Sequence, residues 1–448
     1  MFQPQYLYNK YSALGLRIAL LIVYLALSYS QLYFKTTLPL YVDAIFFLLF
    51  LDYKNILNLK NYYCVYAFLI FKLSSQFWFP NDYKLTFDGT LFVIAFLLGY
   101  EIKNALAVTH IPKKTADAVN YEKYTVTLEL LIKIFVVLKI IYLIFLISQY
   151  GVSSFYSGQM LADKISNYGR KSVMDSILTI YTAFIDNFLL AIIVLYVKYI
   201  SAQGKTPNYY YLILALLVMP LIILSRANFA FNLITLLAIY AYFSKSMVKV
   251  YTYLIPGLII LFAISAYIGF LRINSYQTED IADVTSGDQF FTELTPIIAY
   301  NDVKENINVL HYQYGKTIFL PLILKPIPRG LWPEKPNNSG AMYMKEFNAD
   351  SFAAGFAIPV MIFGDLFLNF GIYVTILLLL LFGVLIGKCN QIYTNKQYTN
   401  IDNYLILFVC FYSVLRNCLP EALISILLIF LSKKIIQIFI LKVPIRNT

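Results

Sequence analysis

The chain has 448 residues, of which 60% are hydrophobic and only 13% are charged, and its mean hydropathy is +0.68. A water-soluble protein carries about 25% charged residues, so most of this surface faces something other than water. The net charge of +11 does not indicate a nucleic-acid partner, because the basic residues lie between apolar segments and form no continuous stripe.

Apolar segments of membrane-spanning length recur along the whole chain. A backbone in hydrocarbon must satisfy its own hydrogen bonds, so we interpret these segments as α-helices. The predicted spans are 13–31, 38–51, 62–79, 86–102, 126–149, 176–200, 209–225, 228–244, 250–271, 362–387, 403–418 and 421–441. The pattern predicts an all-α, polytopic membrane protein of about 12 transmembrane helices.

The distribution of positive charge predicts the orientation of these spans. The first apolar segment, 14–30, lacks a small-residue cleavage site, so we expect it to remain as the first span. With the N-terminus inside, the inner loops hold most of the lysines and arginines, and the short outer loops hold few. The positive-inside rule therefore places both termini in the cytoplasm.

We divide the chain into three regions. Residues 1–272 are an N-terminal transmembrane bundle of about nine helices, 273–361 a long outer loop, and 362–448 a C-terminal part of about three helices. Within the loop, 288–311 is a candidate helix, whereas the following proline-rich part is incompatible with a long helix. Apolar residues among the prolines indicate that the loop folds against the bundle.

Motifs for metal or nucleotide binding do not occur. The four cysteines, Cys64, Cys389, Cys410 and Cys418, have no paired spacing, so neither a disulfide framework nor a zinc site is predicted. The first outer loop, 31–37, contains no Asp or Glu, and no Walker A, HExxH or glycine-rich nucleotide loop is present. We therefore predict no metal site and no cofactor.

Three arginines lie at predicted outer ends of spans. Arg226 lies between the seventh and eighth spans, Arg272 ends the ninth, and Arg416 ends the eleventh. A guanidinium stays charged and binds phosphate oxygens through paired hydrogen bonds, so a cluster of these groups suits a lipid-linked pyrophosphate. The alternative is that each arginine reaches lipid head groups or pairs with a carboxylate.

A stiff basic segment, LKPIPRGLWPEKP, occupies positions 324–336 of the long loop. Lys325, Arg329 and Lys335 are candidates for binding phosphate or an acidic sugar, and Trp332 is a candidate for stacking on a sugar ring. The prolines lower the entropy lost when the segment is fixed in place. The alternative is a surface turn with solvated charges.

His311, one of two histidines, is the candidate for proton transfer in the outer loop. Imidazole exchanges protons near neutral pH, whereas a lone loop histidine is otherwise solvated or structural.

Charged residues also lie inside two predicted spans. Glu129 and Lys133 are four residues apart on the fifth span, which places them on one helix face. Lys139, on the same span, and Asp186, on the sixth, are expected to pair between helices. Such charges indicate either a functional site or a structural ion pair.

Together these features resemble the Wzy-type O-antigen and oligosaccharide repeat-unit polymerases of bacteria. The similarity rests on the number of spans, the long outer loop, Ser225-Arg226 at the head of a span, and IPRGLWPEKP at 327–336. The run GDLFLNFG at 364–371 is similar to that family's Gly-Glu-x-Tyr-x-Asn-Phe-Gly pattern. Asp365 stands where the family has Glu, and Phe367 where it has Tyr.

The resemblance implies a GT-C-like membrane glycosyltransferase bundle in the bacterial inner membrane, with its active site on the periplasmic face. The donor would be a growing glycan on undecaprenyl pyrophosphate, and the acceptor a single repeat unit on the same carrier. An acceptor hydroxyl would attack the anomeric carbon, and lipid pyrophosphate would leave. The related O-antigen ligases work without a metal, so a metal-independent reaction of polysaccharide and lipopolysaccharide biosynthesis is expected.

Residue roles follow from the same resemblance. Arg226 and Arg272 would bind the pyrophosphate, with Arg329 or Arg416 assisting. His311 would be the general base, with Glu334 or Asp365 as substitutes for it. The implied partners are lipid-linked glycans, membrane lipid and a chain-length regulator of the polysaccharide co-polymerase class.

Three other functions remain open. A flippase or transporter for lipid-linked oligosaccharide explains the spans and the cationic outer ends, but transporters often have repeated halves, and none is visible here. An O-antigen ligase uses the same donor and differs in its acceptor. A polyprenyl-phosphate-sugar glycosyltransferase would need an early acidic pair, which the first outer loop lacks.

Overall fold

The computed structural model of the protein describes residues 4–36, 40–52, 58–80, 82–106, 121–150, 173–222, 226–244, 252, 256–257, 259–260, 263, 296–324, 327, 332, 334–347, 349, 360–394, 400–416 and 418–441. Across these ranges every regular element is a helix, and no strand occurs. The predicted all-α class is therefore confirmed.

The N-terminal region consists of consecutive helices of 4 to 31 residues. They are α1 Pro4–Phe34, α2 Leu40–Phe50, α3 Leu59–Ala67, α4 Ser75–Trp78, α5 Tyr83–Ala105, α6 Tyr121–Tyr150, α7 Val173–Ala202, α8 Tyr209–Ile222 and α9 Arg226–Phe243. The π-helical segment Phe68–Ser74 joins α3 to α4 without a break. At the start of α5, the Asp82 carboxylate accepts a hydrogen bond from the Leu85 backbone N–H at 2.8 Å and caps the helix.

The C-terminal half contains short helices followed by long ones. They are α10 Pro296–Glu305, α11 Ile307–Leu310, α12 Lys316–Leu324, α13 Ser339–Phe347, α14 Met361–Thr394, α15 Ile401–Arg416 and α16 Leu419–Ile435, which continues as a π-helical segment, Ile436–Ile440. Every predicted span coincides with a helix except 250–271, which lies largely outside the described residues.

Within the described residues, five helical segments are long and apolar enough to cross a membrane. They are Ala13–Phe34, Tyr83–Ala105, Ile185–Ala202, Met361–Tyr393 and Leu419–Ile440. Shorter apolar helices occupy Leu40–Phe50, Asn232–Phe243 and Ile401–Phe411. The polytopic membrane class is confirmed by these segments, while the number of about 12 spans stays a prediction.

Ion pairs lie at two opposite ends of α5. Near its C-terminus, Glu101 pairs with Arg17 of α1 and, at 3.5 Å, with Lys60 of α3. Near its N-terminus, Asp88 pairs with Lys304 of α10. The two carboxylates are about 20 Å apart along the helix, so we refer to the Glu101 end and the Asp88 end of the bundle.

The termini of the later helices lie at the same two ends of the bundle. Asn390 near the C-terminus of α14 donates a hydrogen bond to the Tyr100 hydroxyl at 2.8 Å, at the Glu101 end. Asp402 at the start of α15 pairs with Lys198 of α7 at 3.2 Å and with Lys433 of α16 at 3.1 Å. The start of α14, the end of α15 and the start of α16 consequently lie at the Asp88 end.

Two glycines bring α5 and α14 into backbone contact. A Cβ at Gly99 would lie 2.0 Å from the carbonyl oxygen of Leu380, and a Cβ at Gly383 would lie 2.0 Å from that of Phe96. Small residues permit such close helix packing in membranes. The contacts advance in the same direction along both helices, because Gly383 lies against Phe96 and Gly387 against Lys103, so this parallel pair carries Asp88 and Asp365 toward the same end of the molecule.

The two ion pairs predicted inside spans are confirmed. Glu129 and Lys133 lie 3.0 Å apart on one face of α6. Lys139 of α6 and Asp186 of α7 lie 3.2 Å apart, and Lys139 also donates to the Ala215 carbonyl at 3.1 Å. Both pairs thus have a structural role, between turns of one helix or between neighbouring helices.

Candidate functional site

Helix α10 fixes the described part of the long loop to the Asp88 end. The Tyr300 side chain is fully buried, and its ring packs edge-on against Phe71 and Phe367 at 5.8 and 5.9 Å between centroids. Its hydroxyl donates to the Asp88 carboxylate at 3.3 Å, and Lys304 one turn later pairs with the same carboxylate. The prediction that the loop folds against the bundle is therefore confirmed for its described part.

A second hydrogen bond joins two helices of the loop to each other. The Tyr343 hydroxyl of α13 donates to the Asp302 carboxylate of α10 at 2.7 Å. Burial, together with this carboxylate acceptor, raises the pKa of Tyr343 above its usual value. The phenol consequently stays protonated and keeps the donor that holds α13 against α10.

Asp365 is a junction between three helices. Its side chain is fully buried, one turn into α14. One carboxylate oxygen accepts a hydrogen bond from the Ser339 hydroxyl of α13, and the other accepts the backbone N–H of Leu419 at the start of α16. Both carboxylate oxygens are therefore occupied by protein donors.

Asn369, one turn after Asp365, holds the segment that precedes α12. Its side-chain oxygen accepts the Gly315 backbone N–H at 2.9 Å, and its amide nitrogen donates to the Thr317 hydroxyl at 2.8 Å. The Asn369 side chain is fully buried, so these hydrogen bonds replace those that water would otherwise make.

The backbone of α14 contributes two more bonds, because the helix breaks at Gly371. This glycine has φ 72° and ψ 177°, a conformation that is accessible essentially only to glycine. The break interrupts the hydrogen-bond ladder, and the carbonyls of Leu368 and Asn369 accept the N–H groups of Gln313 and Tyr314, each at 3.0 Å. The Thr317 hydroxyl also donates to the Asn369 side-chain oxygen at 3.2 Å, so residues 313–317 are bound to α14 by five hydrogen bonds.

His311 lies two residues before this anchored segment. It ends α11, its backbone N–H donates to the Ile307 carbonyl at 2.8 Å, and its side chain is exposed. Its φ of 52° is uncommon for a residue with a side chain and persists where the surroundings fix the backbone. The imidazole therefore projects from a backbone position set by α11 on one side and α14 on the other.

The proline-rich segment is described only in part. Trp332 is 39% exposed, Glu334 is exposed, and Lys335 donates through Nζ to the Ile327 carbonyl at 2.8 Å. Lys325 and Arg329 lie outside the described residues.

The described part of this segment leads into α13 and is bound to α16. The Asn338 side chain caps α13 by accepting the Ala341 N–H at 2.9 Å. Its amide nitrogen donates to Glu421 of α16 at 3.2 Å. The residues that follow the prolines are thus held beside the start of α16, at the Asp88 end.

The backbone places two of the three candidate arginines at this same end. Arg226 begins α9, whose far end packs near the Glu101 end through Tyr242 and Tyr393, with ring centroids 5.8 Å apart. Arg416 ends α15, which starts at the Glu101 end. The side chains of both arginines, and Arg272 as a whole, lie outside the described part of the chain.

The structure thus brings His311 and Asp365 to one end of the bundle. The start of α9, with Arg226, and the end of α15, with Arg416, lie at the same end. Sequence reasoning missed the two residues that organise this end, Asp88 and Asn369. Asn369 stood within the GDLFLNFG run, which was a usable signal. Asp88 stood inside a predicted span, where an acidic residue is unusual.

A further buried network was also missed. Lys72 is fully buried in the π-helical segment, pairs with Asp43 of α2 at 3.3 Å and donates to the Thr90 hydroxyl at 2.9 Å. The Tyr24 hydroxyl donates to the same Asp43 carboxylate. A lysine inside the predicted third span was the available signal, since intramembrane charges need partners.

Comparison with known proteins bears on the family resemblance. Over 129 residues the chain is 32% identical to the O-antigen polymerase of Salmonella typhimurium and equally to that of Salmonella typhi. The predicted resemblance to the O-antigen polymerases is confirmed. The match covers 27% of this chain and spans 31% of the length of each O-antigen polymerase. No protein-family model matches the chain, and no solved structure matches it.

Proposed function

We propose that the chain is an O-antigen polymerase, a glycosyltransferase that joins lipid-linked repeat units on the outer face of the bacterial inner membrane. The 32% identity to two proteins of that name is the observation that carries the proposal. A second support is the anchoring of the described part of the loop, because a transporter has no evident need for an anchored loop at one end of the bundle.

The proposed reaction is a single glycosyl transfer. A hydroxyl of the acceptor repeat unit attacks the anomeric carbon of the donor glycan, and a new glycosidic C–O bond forms. The bond between that carbon and the pyrophosphate oxygen breaks, and undecaprenyl pyrophosphate leaves with the electron pair. The hydroxyl proton passes to a base on the protein.

Arginines are the proposed stabilisers of the leaving pyrophosphate. Arg226 and Arg416 belong to helix termini at the Asp88 end. We assign Arg226 and Arg272 to the pyrophosphate, with Arg329 or Arg416 assisting. Fixed positive groups aimed at charge that develops in the transition state are an effective form of catalysis, and they need no metal ion.

His311 is the proposed base. Its side chain is exposed, whereas the Asp365 carboxylate is fully buried with both oxygens hydrogen-bonded. We therefore assign Asp365 a positioning role, holding α13 and α16 against α14, and keep Glu334, which is exposed, as the alternative base. Lys335 and Trp332 are assigned to the sugar chain.

The anchored loop is proposed to limit the access of water. Hydrolysis of the donor would waste a lipid-linked glycan, so the transfer needs a covered site. The loop is tied to α5 and α14 at several points, which suits a fixed cover. A chain-length regulator is the proposed protein partner, and both termini are placed in the cytoplasm.

The function is tested by deleting the gene in its host and restoring it with wild type or variants. We expect wild type to restore a ladder of glycan lengths on a gel and the deletion strain to show a single repeat unit. Loss of every surface unit, including the single one, would instead identify a ligase or a flippase.

The base is tested with His311→Gly and His311→Asn in the same strain. Glycine removes the imidazole but adopts the positive φ of this position without strain. A loss of activity in this variant would therefore come from the missing imidazole and not from a disturbed backbone. If His311 is the base, both variants lose about 10²-fold or more of the transfer rate at equal protein level. A normal ladder with His311→Gly would remove the imidazole from the mechanism. Asn308→Ala, an exposed change on the same turn, is the matched control.

A further inference from the structure

Helix α12 presents an apolar face to the outside, although it belongs to a loop predicted to lie in water. Phe319, Leu320 and Ile323 are 55%, 40% and 70% exposed. The opposite face, with Thr317 and Ile318 buried, packs against α14 and α16. Contiguous exposed apolar side chains mark an interaction surface, so the face needs a partner.

The residues before α12 extend this surface. Val309, Tyr312 and Tyr314 are 59%, 40% and 78% exposed. We call the exposed side chains of Val309, Tyr312, Tyr314, Phe319, Leu320 and Ile323 the loop face. Residues 306–324 contain no Asp or Glu, whereas Lys316 and His311 are exposed within them. The surface is therefore apolar and aromatic with a positive margin.

The long part of α14 has a comparable exposed stripe. Tyr373 is 86% exposed, and Leu377, Leu381 and Leu385 follow at intervals of four residues with 55%, 53% and 45% exposure. This stripe belongs to a helix that is apolar enough to cross a membrane. The side chains of this stripe thus contact lipid and not water.

The loop face lies where this lipid-facing stripe begins. The Tyr312 ring lies 3.5 Å from the position of a Cβ on Gly371, two residues before Tyr373. The Phe370 ring lies 3.7 Å from the corresponding position on Gly315, at the start of α12. Tyr373 follows Gly371 by only two residues, which span at most about 7 Å even when fully extended. The loop face and the first lipid-facing turn of α14 are therefore at nearly the same depth.

We propose that the loop face is inserted into the outer leaflet of the membrane, at the boundary between head groups and acyl chains. Tyrosines concentrate at this boundary, and interfacial helices bury an apolar face about 5–10 Å into it. The exposed Lys316 then lies at the level of anionic phosphates. Part of the long loop is, on this proposal, a membrane element rather than a water-exposed one.

His311 lies between Val309 and Tyr312 of the loop face. Its imidazole is held at head-group depth, where the pyrophosphate of a lipid-linked substrate also lies. The membrane contact itself follows from exposure and anchoring and does not depend on the proposed function.

The test places a cysteine-linked, environment-sensitive fluorophore on the loop face of the full chain in lipid nanodiscs. Ile323→Cys and Phe319→Cys are the test variants, Leu381→Cys is the lipid-facing control, and Glu346→Cys on α13 is the water-facing control. The four native cysteines are buried, and labelled wild type supplies the background. We expect nitroxide-bearing phospholipids to quench positions 323 and 319 as they quench 381, with iodide quenching only position 346.

Two results would overturn the proposal. Quenching of positions 323 and 319 by iodide, as at 346, would place the loop face in water. Quenching by neither reagent would show that protein covers the face, either another segment of this chain or a second copy. Because both test positions are exposed, a normal melting temperature is expected for each variant and is checked before labelling.

Discussion

Asn369 illustrates how a single buried amide organises the Asp88 end of the bundle. Its side-chain oxygen accepts a hydrogen bond from the Gly315 N–H, while its amide nitrogen donates one to the Thr317 hydroxyl. A carboxylate could accept both bonds but could not donate one, and an aliphatic side chain could do neither. The amide is therefore the side chain of this size that fits the two partners.

We expect Asn369→Ala to loosen the segment before α12. The Gly315 N–H loses its acceptor, and an unsatisfied buried donor costs about 1–3 kcal/mol. The variant should unfold at a lower temperature in detergent and be cleaved faster by protease within residues 311–317. Asn308→Ala, at an exposed position, is the control, and equal behaviour of the two variants would contradict the role given to Asn369.

The Asp88–Lys304 pair is a second point where one residue holds the loop. Asp88→Ala should leave the largely buried Lys304 ammonium, 23% exposed, without its carboxylate, and breaking a buried pair costs about 3–5 kcal/mol. We expect a lower unfolding temperature in detergent. Asp88→Ala combined with Lys304→Met should recover much of the loss, because no unpaired charge remains. A double variant no more stable than Asp88→Ala would show that Asp88 acts by another route.

At the scale of elements, the break in α14 is the feature that shapes the Asp88 end. The preceding turns, Asp365 to Asn369, are fully or nearly buried, whereas the part beyond Gly371 exposes Tyr373. The break divides α14 into a first part that anchors the loop and a second, longer apolar part. It also frees the carbonyls that bind residues 313 and 314.

Gly371→Ala tests the break. Alanine at φ 72° and ψ 177° is strained by about 1–3 kcal/mol, so the variant should melt at a lower temperature than wild type. Gly15→Ala is the matched control, because Gly15 lies in α1 with no atom within 4 Å of an added Cβ. That change should be neutral or slightly stabilising, since alanine favours a helix interior. Equal melting temperatures for the two variants would argue against a strained Gly371.

At the scale of the whole molecule, polar contacts assign the helix termini to two ends. The contacts of Glu101 and Asp402 belong to one end, and those of Asp88 and Asp365 to the other. This alternation agrees with the predicted topology, in which the long loop and both termini lie on opposite sides. Which end faces the cytoplasm stays a prediction from the positive charges.

Orientation is tested with a reporter and a thiol reagent. We expect a fluorescent protein fused after Thr448 to fold and fluoresce, as it does only in the cytoplasm. Glu346→Cys should react with a membrane-impermeant thiol reagent added to the outside of spheroplasts, because position 346 is exposed on the loop. A dark fusion with an unreactive position 346 would reverse the predicted orientation.

The sequence by itself determined the class of fold and the positions of the long apolar helices, although it did not predict α12 and α13 in the loop. Runs of apolar residues such as 86–102 and 362–387 leave the backbone in lipid no choice but a helix, which is a local requirement. The pairs Glu129–Lys133 and Lys139–Asp186 were also predictable, because helical spacing or the cost of a lone charge in lipid demands a partner. The family resemblance rested on short motifs, and these were equally visible in the sequence.

Only the tertiary structure decided what those motifs do. GDLFLNFG looks like the start of an uninterrupted span, and nothing local requires a break at Gly371, since glycine is tolerated within an apolar helix. The break exists because residues 313–317 and the Asn369 side chain form hydrogen bonds that compensate for it. From the sequence alone, Asp365 was a candidate for proton transfer. In the fold it is buried, because Ser339 and Leu419, which come from distant parts of the chain, donate hydrogen bonds to its carboxylate. Such contacts depend on which helices become neighbours, and a one-dimensional pattern carries no information about that.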